Sequence, residues 1–228
     1  MISVIIPTLN ESETLPRLLD ALSRQGDVAL EIIVADGGSQ DDTTRIARQH
    51  GCRIITTAPG RGQQLSAGVE IASGDILLFL HADSVFPLTG LKAINSHLQQ
   101  FPDLIGGNFR LSFDGSDAFS LWLNGFYAKI RQRGIYYGDS GIFLRSDICT
   151  KIGGIKPISL MEDYCLVRRM EKFGQTCCID DPGLITSSRR FLGRRKYAII
   201  LGWLLIHLLF YLRLHPERLA RIYNSSRR

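Results

Sequence analysis

The sequence has few cysteines, and their spacing builds no recognisable site. They are odd in number and include no Cys-x-x-Cys pair; the five are Cys52, Cys149, Cys165, Cys177 and Cys178. This pattern disfavours a disulfide framework and a zinc site, and reduced cysteines fit a cytoplasmic location. Because Pro7 and Glu11 interrupt the apolar start of the chain, we also expect no signal peptide.

The sequence also lacks the short motifs of several large enzyme classes. It contains no GxxxxGK[ST], no GxGxxG after the first predicted strand, and no GxSxG, HExxH or protein-kinase signature. These absences disfavour P-loop NTPases, nicotinamide-dependent enzymes, serine hydrolases, zinc proteases and kinases. With 45% hydrophobic and 21% charged residues, the chain has the composition of a folded domain.

Positive charge is concentrated at one end of the chain. The formal net charge of +5 would, taken whole, favour nucleic acid as a partner. Residues 1–188, however, hold 17 Lys and Arg against 21 Asp and Glu, whereas residues 189–228 hold ten Lys and Arg against the single acid Glu217. The acidic body therefore argues against a nucleic acid ligand, and the basic tail needs an explanation of its own.

Short apolar runs alternate with helical patterns along the first hundred residues. Four runs predict buried strands, namely Val4–Ile6, Ile32–Val34, Ile54–Ile55 and Ile76–Leu80. Leucines at helical spacing predict the first helix, and they are Leu15, Leu18, Leu19 and Leu22. We expect Asn10 to cap this helix and Gly60 to Ala72 to form a glycine-rich loop entering a later one. The fold class is therefore α/β, with a mostly parallel sheet flanked by helices.

The second half of the chain is less regular. Apolar patterns predict strands at Gly107–Phe113 and Gly141–Leu144, and helices at Leu121–Ile130 and Glu162–Phe173. We expect this half to complete the sheet and to build the second wall of a cleft.

Polar residues follow three of the predicted strands. Pro7-Thr8-Leu9-Asn10-Glu11, Asp36-Gly37-Gly38-Ser39 and His81-Ala82-Asp83 each stand at a strand's carboxyl end. Ligands of open parallel sheets bind at this edge, so Glu11, Asp36 and Asp83 would converge there if the strands are neighbours. Taken singly, such residues are also common in turns and caps. An acidic crevice without a glycine-rich phosphate loop favours a divalent metal bridging a carboxylate to a diphosphate.

Taken in order, these motifs resemble those of the family 2 glycosyltransferases, over about residues 2–190. They are Pro7-x-x-Asn10-Glu11, Asp36-Gly37-Gly38-Ser39-x-Asp41, Arg61-Gly62, His81-Ala82-Asp83, Gly138-Asp139-Ser140-Gly141 and Glu162-Asp163. The segments around Arg61 and His81 are most similar to the small bacterial radical-SAM/selenodomain-associated branch. The resemblance implies the Rossmann-like nucleotide-diphospho-sugar transferase fold and an enzyme that transfers a sugar from a nucleotide-diphosphate sugar.

The resemblance also implies a donor site at the sheet edge. Asp36 would accept a hydrogen bond from the base, Glu11 would hold the base or ribose, and Arg61 would lie against the nucleotide. The whole implied donor-binding set is Pro7, Asn10, Glu11, Asp36, Gly37, Arg61, Ala82 and Asp83. Asp83 occupies the last position of the family's DxD motif, which holds Mn²⁺ or Mg²⁺ on the diphosphate. His81 replaces the first acid, and we expect it to be a spacer or supporting group rather than a ligand, since imidazole suits Mg²⁺ poorly.

Catalysis is assigned, again by resemblance, to the Glu162-Asp163 pair. Asp163 would be the general base that deprotonates the acceptor hydroxyl, and inversion of configuration would follow. Gly138, Asp139 and Ser140 would receive the acceptor. The processive members carry QxxRW, whereas this chain has Ser187-Ser188-Arg189-Arg190-Phe191, which favours the addition of a single sugar.

The remaining residues form an apolar, basic tail, so we divide the chain into a catalytic domain, 1–190, and a tail, 191–228. No formal charge occurs between Tyr197 and Leu212. A helix over this stretch would be ~24 Å long, short of the ~30 Å hydrocarbon core. We expect an interfacial membrane helix first, a core or homodimer helix next and a true span last.

This tail would place the enzyme on the inner face of the cell membrane, near a hydroxyl acceptor that is a lipid or membrane-associated. Two alternative functions stay open at this point. One is a sugar-phosphate nucleotidylyltransferase, and the other is a non-catalytic module that binds nucleotide sugars or membranes.

Overall fold

The structure, a computed structural model, describes residues 1–26, 28–186 and 196–225. Its strands are β1 (Ile2–Thr8), β2 (Leu30–Asp36), β3 (Arg53–Thr56), β4 (Ile76–Phe79), β5 (Leu104–Phe113), β6 (Phe143–Arg145) and β7 (Gln175–Thr186). Its α-helices are α1 (Leu15–Ser23), α2 (Thr43–Gln49), α3 (Arg61–Ile71), α4 (Gly90–Gln100), α5 (Ala118–Arg131), α6 (Ser146–Lys151), α7 (Glu162–Phe173), α8 (Lys196–Tyr211) and α9 (Pro216–Ser225).

The strands form one sheet in the order β3-β2-β1-β4-β6-β5-β7. All neighbouring pairs run parallel except those that include β6. The expected mostly parallel α/β sheet is therefore confirmed. Because β2, β1 and β4 are adjacent, the three polar strand ends lie side by side at one edge of the sheet.

Both faces of the sheet are covered, as a parallel sheet requires. On one face, side chains such as Val4 and Val34 pack with α1, α2, α4 and α5, where the four leucines of α1 are buried as expected. On the other face, Ile5 and Ile33 pack with α3, α6 and α7. Alternate residues of each central strand thus contribute to opposite cores.

Two local expectations differ from the structure, the first entirely and the second only in where the helix begins. Asn10 does not cap α1, because its backbone has φ 56° and its Oδ1 accepts a hydrogen bond from the Gln40 N–H; Thr14 precedes the helix instead. The segment expected as a glycine-rich loop is almost entirely helix α3. Its glycines permit close packing, since a Cβ at Gly68 would stand 2.4 Å from Cγ2 of Ile5.

The second half contains elements that we did not expect. Strand β7 pairs with β5 at the end of the sheet, with register shifts along their length. Helix α9 follows α8, and both pack against the start of α7 through a third cluster that includes Met161, Tyr164, Ile206 and Leu219. The stretch compared above with QxxRW, residues 187–191, lies outside the described residues.

The tail helix α8 buries one side and exposes the other. Ile206 is buried, whereas Leu201, Leu208 and Leu212 are more than half exposed. In the three described stretches, no helix combines the length and apolarity needed to cross a bilayer.

Gly62 lies in the first turn of α3, where a loop comes very close to it. A Cβ there would stand 2.4 Å from the Ile158 carbonyl oxygen, a backbone atom that cannot rotate away. We expect Gly62→Ala to lower the free energy of unfolding by roughly 1–3 kcal/mol, because the loop must shift.

Gly125→Ala is the matched control for this prediction, because it is also helical and a Cβ there meets nothing within 4 Å. It should be neutral or stabilise by about 0.5–1 kcal/mol, the usual gain of Ala over Gly in a helix. Denaturant titration of both variants measures the difference, and equal effects would contradict the close approach.

Candidate active site

A pocket opens at the carboxyl edge of the sheet, between α3 and α7. Its space amounts to about 340 Å³, part of it continuous with solvent. It is lined by Pro7, Arg61, Leu65, Phe79, Leu80, His81, Gly138, Ile142, Ile155, Glu162, Asp163 and Leu166. The first-strand, Arg61, His81, Gly138 and Glu162-Asp163 motifs therefore contribute to one cavity, although they are distant in sequence.

Arg61 lies at the centre of the polar groups of this pocket. Its Nη1 lies 2.8 Å from Nε2 of His81, and its Nε lies 2.9 Å from Oε1 of Glu162. A guanidinium has only donors, so Nε2 of His81 accepts and the ring carries its proton on Nδ1. In the structure His81 thus accepts from Arg61, and its part in metal binding stays a prediction.

Glu162 is a buried carboxylate that lies against the Arg61 guanidinium. Its side chain is 3% exposed, and the contact with Arg61 is ionic rather than a well-aligned hydrogen bond. Burial raises the pKa of Glu162 to about 7; Arg61 opposes the rise and Asp163 reinforces it. Burial alone would lower the pKa of Arg61, but the carboxylates of Glu162 and Asp163 outweigh it and raise that pKa.

Asp163 is oriented by two backbone donors. Its Oδ2 accepts from the Gly138 N–H at 2.9 Å, and its Oδ1 accepts from the Tyr164 N–H at 2.7 Å. Each of these hydrogen bonds uses one lone pair of one carboxylate oxygen, and the second lone pair of that oxygen can accept from a ligand. A Cβ at Gly138 would stand 3.1 Å from Nε2 of His81 and 3.3 Å from Oδ2 of Asp163, so this tight approach suits a glycine.

The residue before this acidic pair has an unusual backbone. Met161 has φ 68°, a left-handed conformation that is costly for a side chain of its size. Its side chain packs in the cluster shared with Ile206 and Leu219 of the tail helices. The tail thus helps to hold the turn that presents Glu162 and Asp163 to the pocket.

The Asp36 motif is tightly hydrogen-bonded to its neighbours. The Asp36 carboxylate is 1% exposed and accepts from the Thr8 hydroxyl, the Gly38 and Ser39 N–H groups, and the Ser39 hydroxyl. These four bonds match the number of lone pairs on a carboxylate. The structure therefore shows Asp36 holding its own turn, and a contact with a nucleobase stays a prediction.

Asn10 and Glu11 connect the loops that follow β1 and β2. The Asn10 N–H donates to the Ser39 hydroxyl at 2.8 Å, and the Glu11 N–H donates to the Thr43 hydroxyl at 2.8 Å. The Glu11 carboxylate accepts from the Thr14 hydroxyl. The Thr43 hydroxyl also donates to Asp41, the last acid of the motif that begins at Asp36, and this hydrogen bond lowers the pKa of Asp41. These loops consequently form one hydrogen-bonded rim beside the pocket.

Gln64 is a site residue that the sequence did not reveal. Its Nε2 donates to the carbonyl oxygens of Thr8 at 2.7 Å and Ala35 at 2.8 Å, which fastens α3 to the ends of β1 and β2. Gly37 leaves room for it, since a Cβ there would stand 3.2 Å from Nε2. A glutamine inside a helix carries no sequence signal for such a role.

Asp83 stands in a turn after β4, two residues beyond His81, and is half-buried. Within the described parts of the chain, no hydrogen bond or ion pair engages its carboxylate. Ala82 is buried beside it.

No group of three or more His, Cys, Asp and Glu side chains that could hold a metal occurs among the described residues. One available carboxylate still fits Mn²⁺ or Mg²⁺, which proteins often bind through one or two carboxylates together with substrate phosphates.

Of the three residues expected to receive the acceptor, only one lines the pocket. Gly138 lines the pocket, whereas Asp139 and Ser140 are 7% and 1% exposed. The Ser140 hydroxyl donates to the Tyr137 carbonyl oxygen at 2.6 Å, which closes the turn. In the structure these two side chains support the wall, and their contact with an acceptor stays a prediction.

Two tyrosines next to the pocket also join it to the tail. The Tyr137 hydroxyl lies 2.8 Å from Nε2 of His207, and the Tyr164 and Tyr211 hydroxyls are hydrogen-bonded. Tyr137 precedes Gly138 and Tyr164 follows Asp163, so both lie beside catalytic candidates. Their pairing with residues of α8 had no signal in the sequence, because it depends on how the tail folds back.

The chain was compared with known families and proteins. Residues 3–149 match Glycosyl transferase family 2. A PGL/p-HBAD biosynthesis glycosyltransferase of Mycobacterium bovis is 34% identical over 150 residues, which cover 60% of this chain and 59% of the relative. An uncharacterized glycosyltransferase of Mycobacterium tuberculosis is 32% identical over 110 residues, or 48% of this chain and 49% of the relative. The chain thus matches about three fifths of the first of these relatives, and the match with the second is shorter.

Solved structures share the fold at lower sequence identity. Glucosyl-3-phosphoglycerate synthase from Mycobacterium tuberculosis, in complex with Mn²⁺, UDP-glucose and phosphoglyceric acid, superimposes with a TM-score of 0.62 and 21% identity. The match covers 89% of this chain and 74% of that one. S. aureus TarS gives a TM-score of 0.62 at 14% identity, over 99% of this chain and 42% of TarS. These matches agree with the fold of nucleotide-sugar transferases.

The raised pKa of Glu162 predicts a pH dependence of stability. Since the folded-state pKa of about 7 lies above the ordinary value of 4.5 for a glutamate carboxyl, folding favours the protonated acid. This contribution is complete below pH 4.5 and is lost as the pH rises through 7. We expect the stability of the wild type, relative to Glu162→Gln, to fall over this interval.

Urea titrations at several pH values measure this difference between wild type and variant. Glu70→Gln, at an exposed position of α3, serves as the control. The free energy of unfolding of Glu162→Gln is subtracted from that of the wild type at each pH. If this difference is constant from pH 4.5 to 7, Glu162 is ionised at all these pH values and the prediction is contradicted.

Proposed function

The chain belongs to glycosyl transferase family 2, and from this we propose that it transfers one sugar from a nucleotide-diphosphate sugar to a hydroxyl acceptor, with inversion. The observation that carries the proposal is the position of Asp163. Its oriented carboxylate lines the same cavity as Arg61, at the edge of the sheet where the polar strand ends lie.

Asp163 would act as the general base. The two N–H groups that it accepts from fix the plane of the carboxylate, and an acceptor hydroxyl can donate to a remaining lone pair. As the acceptor oxygen attacks the anomeric carbon, its proton passes to Asp163 while the bond to the diphosphate breaks. A single displacement of this kind inverts the anomeric configuration.

The leaving diphosphate gains negative charge in the transition state. Arg61, which is held by His81 and Glu162, supplies a fixed cation in the pocket to stabilise this charge. The Asp83 carboxylate would hold Mn²⁺ or Mg²⁺, whose chemistry is to neutralise the diphosphate oxygens. The Mn²⁺ complex of the M. tuberculosis synthase supports this proposal.

The rival functions fit less well. A sugar-phosphate nucleotidylyltransferase would need a glycine-rich loop after the first strand, and Pro7-Thr8-Leu9-Asn10-Glu11 is not one. A non-catalytic module would not require an oriented carboxylate beside the ion pair of Arg61 and Glu162. The loss of QxxRW further favours transfer of a single sugar over processive synthesis.

Three finer proposals concern the acceptor, the location of the protein and its branch of the family. The exposed apolar side of α8 supports a lipid or membrane-associated acceptor and a peripheral location on the inner face of the membrane. The packed side of α8 fits the alternative of a packing helix, and its exposed side leaves a homodimer contact as a further alternative. The His81-Ala82-Asp83 and Gly60-Arg61-Gly62 segments support the radical-SAM/selenodomain-associated branch.

Asp163→Asn tests the proposed function directly. It removes the base but keeps the size of the side chain, so transfer should fall roughly 10²- to 10⁴-fold while donor affinity stays close to that of the wild type. A thermal-shift screen of nucleotide sugars with and without Mn²⁺ first identifies the donor. Transfer and donor binding are then measured separately.

Asp147→Asn, at an exposed residue of α6, provides the control for this substitution. Unchanged transfer in Asp163→Asn would refute the assignment of the base, and a product that retains the donor's anomeric configuration would refute inversion.

Asp83→Asn should weaken nucleotide binding only where the metal contributes. We expect roughly a tenfold loss of affinity in Mn²⁺ and little change in EDTA, because the amide is a poorer ligand for a hard cation. Titration calorimetry in both buffers checks this, with Asp103→Asn, an exposed acid, as the control. Equal losses in both buffers would place Asp83 on the nucleotide itself.

A further inference from the structure

The outer side of α8 is a continuous apolar face. Its exposed residues recur at helical spacing, and they are Leu201, Leu204, Leu205, Leu208, Tyr211 and Leu212. Leu201, Leu204 and Leu212 are between 61% and 69% exposed. Contiguous exposed leucines on one helix face indicate an interaction surface.

Helix α5 carries a second apolar face, which the sequence did not indicate. Leu121 is 62% exposed and Trp122 is 46% exposed. Trp122 is stacked between Phe119 and Phe126, at centroid distances of 5.8 and 5.2 Å. The three rings form an aromatic ladder along the helix, of which Trp122 and Phe126 are exposed.

A row of aromatic rings connects the two helices past the pocket. Phe126 contacts Tyr127 at a centroid distance of 6.1 Å, Tyr127 contacts Tyr137 at 6.3 Å, and Tyr137 contacts His207 of α8 at 5.8 Å. Because Tyr137 directly precedes Gly138, which lines the pocket, this row of rings passes beside the pocket wall.

Positive charge accompanies these faces. The C-terminal part of α5 and the turn after it carry Lys129, Arg131 and Arg133, whereas the acids Asp114 and Asp117 lie at the start of this helix. Residues 201–225 contain three Arg and the single acid Glu217. Lys129, Arg133, Arg213 and Arg218 are exposed. Cations beside an apolar face match anionic lipid headgroups, whereas a second copy docked through the same face would bring like charges together.

We propose that α5 and α8 together form a docking surface for an anionic bilayer. The aromatic ladder of α5 and the leucines of α8 enter the interfacial region, where Trp and Tyr side chains are favoured, and the cations contact the headgroups. The pocket entrance then faces the membrane, and the acceptor hydroxyl belongs to a lipid. This last step rests on the proposed function, whereas the docking itself does not.

Sedimentation of the full chain with lipid vesicles tests the proposal. We expect binding to vesicles that contain phosphatidylglycerol, weaker binding to phosphatidylcholine alone, and loss of binding at high salt. The double variant Trp122→Ala/Phe126→Ala should bind roughly tenfold or more weakly, because it removes the ladder from the docking face. Leu204→Ser/Leu208→Ser tests the face of α8 in the same way.

Phe101→Ala/Phe173→Ala is the matched control, because both rings are 49% exposed but lie on other elements. This variant should bind as the wild type does. All the substituted side chains are partly or largely exposed, so circular dichroism and thermal melting should show that each variant folds.

Quenching by brominated lipids adds a local readout. The chain has two tryptophans, Trp122 and Trp203. Quenching on phosphatidylglycerol vesicles should largely disappear in Trp122→Phe, which keeps an apolar ring, and should persist in Trp203→Phe. Quenching that depends only on Trp203 would overturn the role of α5.

Other outcomes also overturn the proposal. The first is that the wild type does not bind phosphatidylglycerol vesicles, and the second is that Trp122→Ala/Phe126→Ala binds them as strongly as the wild type. The third is that the protein is a dimer in solution and that the substitutions on α5 and α8 dissociate it. Failure of the proposed function is a separate result, because Asp163→Asn would then leave transfer unchanged whether or not vesicles bind. If both proposals hold, Trp122→Ala/Phe126→Ala loses transfer to a lipid acceptor and keeps transfer to a water-soluble one.

Discussion

The arrangement of the pocket depends on one ion pair, between the partly exposed Arg61 and the buried Glu162. A carboxylate in an apolar cavity is stable in its charged form only beside a cation, and Arg61 is the cation that lies against Glu162. The same guanidinium donates to His81, so one side chain links the start of α3, the end of β4 and the start of α7. In the proposed function these elements hold the donor and the acceptor together, and removing Arg61 would leave the buried Glu162 without the cation that lies against it.

Much of this architecture could be predicted from the sequence, because hydrophobic periodicity is a local property. The bounds of α7 agree with the prediction, and the four leucines of α1 are buried as their spacing requires. The convergence of strand ends was predictable as well, since parallel strands with short connections place their carboxyl ends together. What could not be predicted is how the polar side chains divide their hydrogen bonds. Asp36 and Asn10 were expected to face a ligand, whereas much of their bonding capacity holds loops together.

The tail was the hardest part to interpret, because its sequence supports both burial and exposure. In the structure α8 has one buried side and one exposed side. Ile206 is buried against the rest of the chain, and the leucines on the other side of the helix are exposed. The packed side contacts Met161 and Tyr164, which flank the two acids of the pocket. The tail therefore packs against the turn at Met161, and the division of the chain near residue 190 stays a prediction.

The two hydrogen bonds of Gln64 have a consequence for the thermodynamics of donor binding. One amide nitrogen joins helix α3 to the carbonyl oxygens of two adjacent strands, so the backbone of Arg61 is fixed by the sheet rather than by a surface loop. Ordering a loop around a ligand costs conformational entropy, and a helix already fastened to the core avoids most of that cost. In the proposed function, in which Arg61 contacts the donor, this part of the site is preorganised, and a donor analogue that contacts Arg61 should bind with little entropic penalty from this helix.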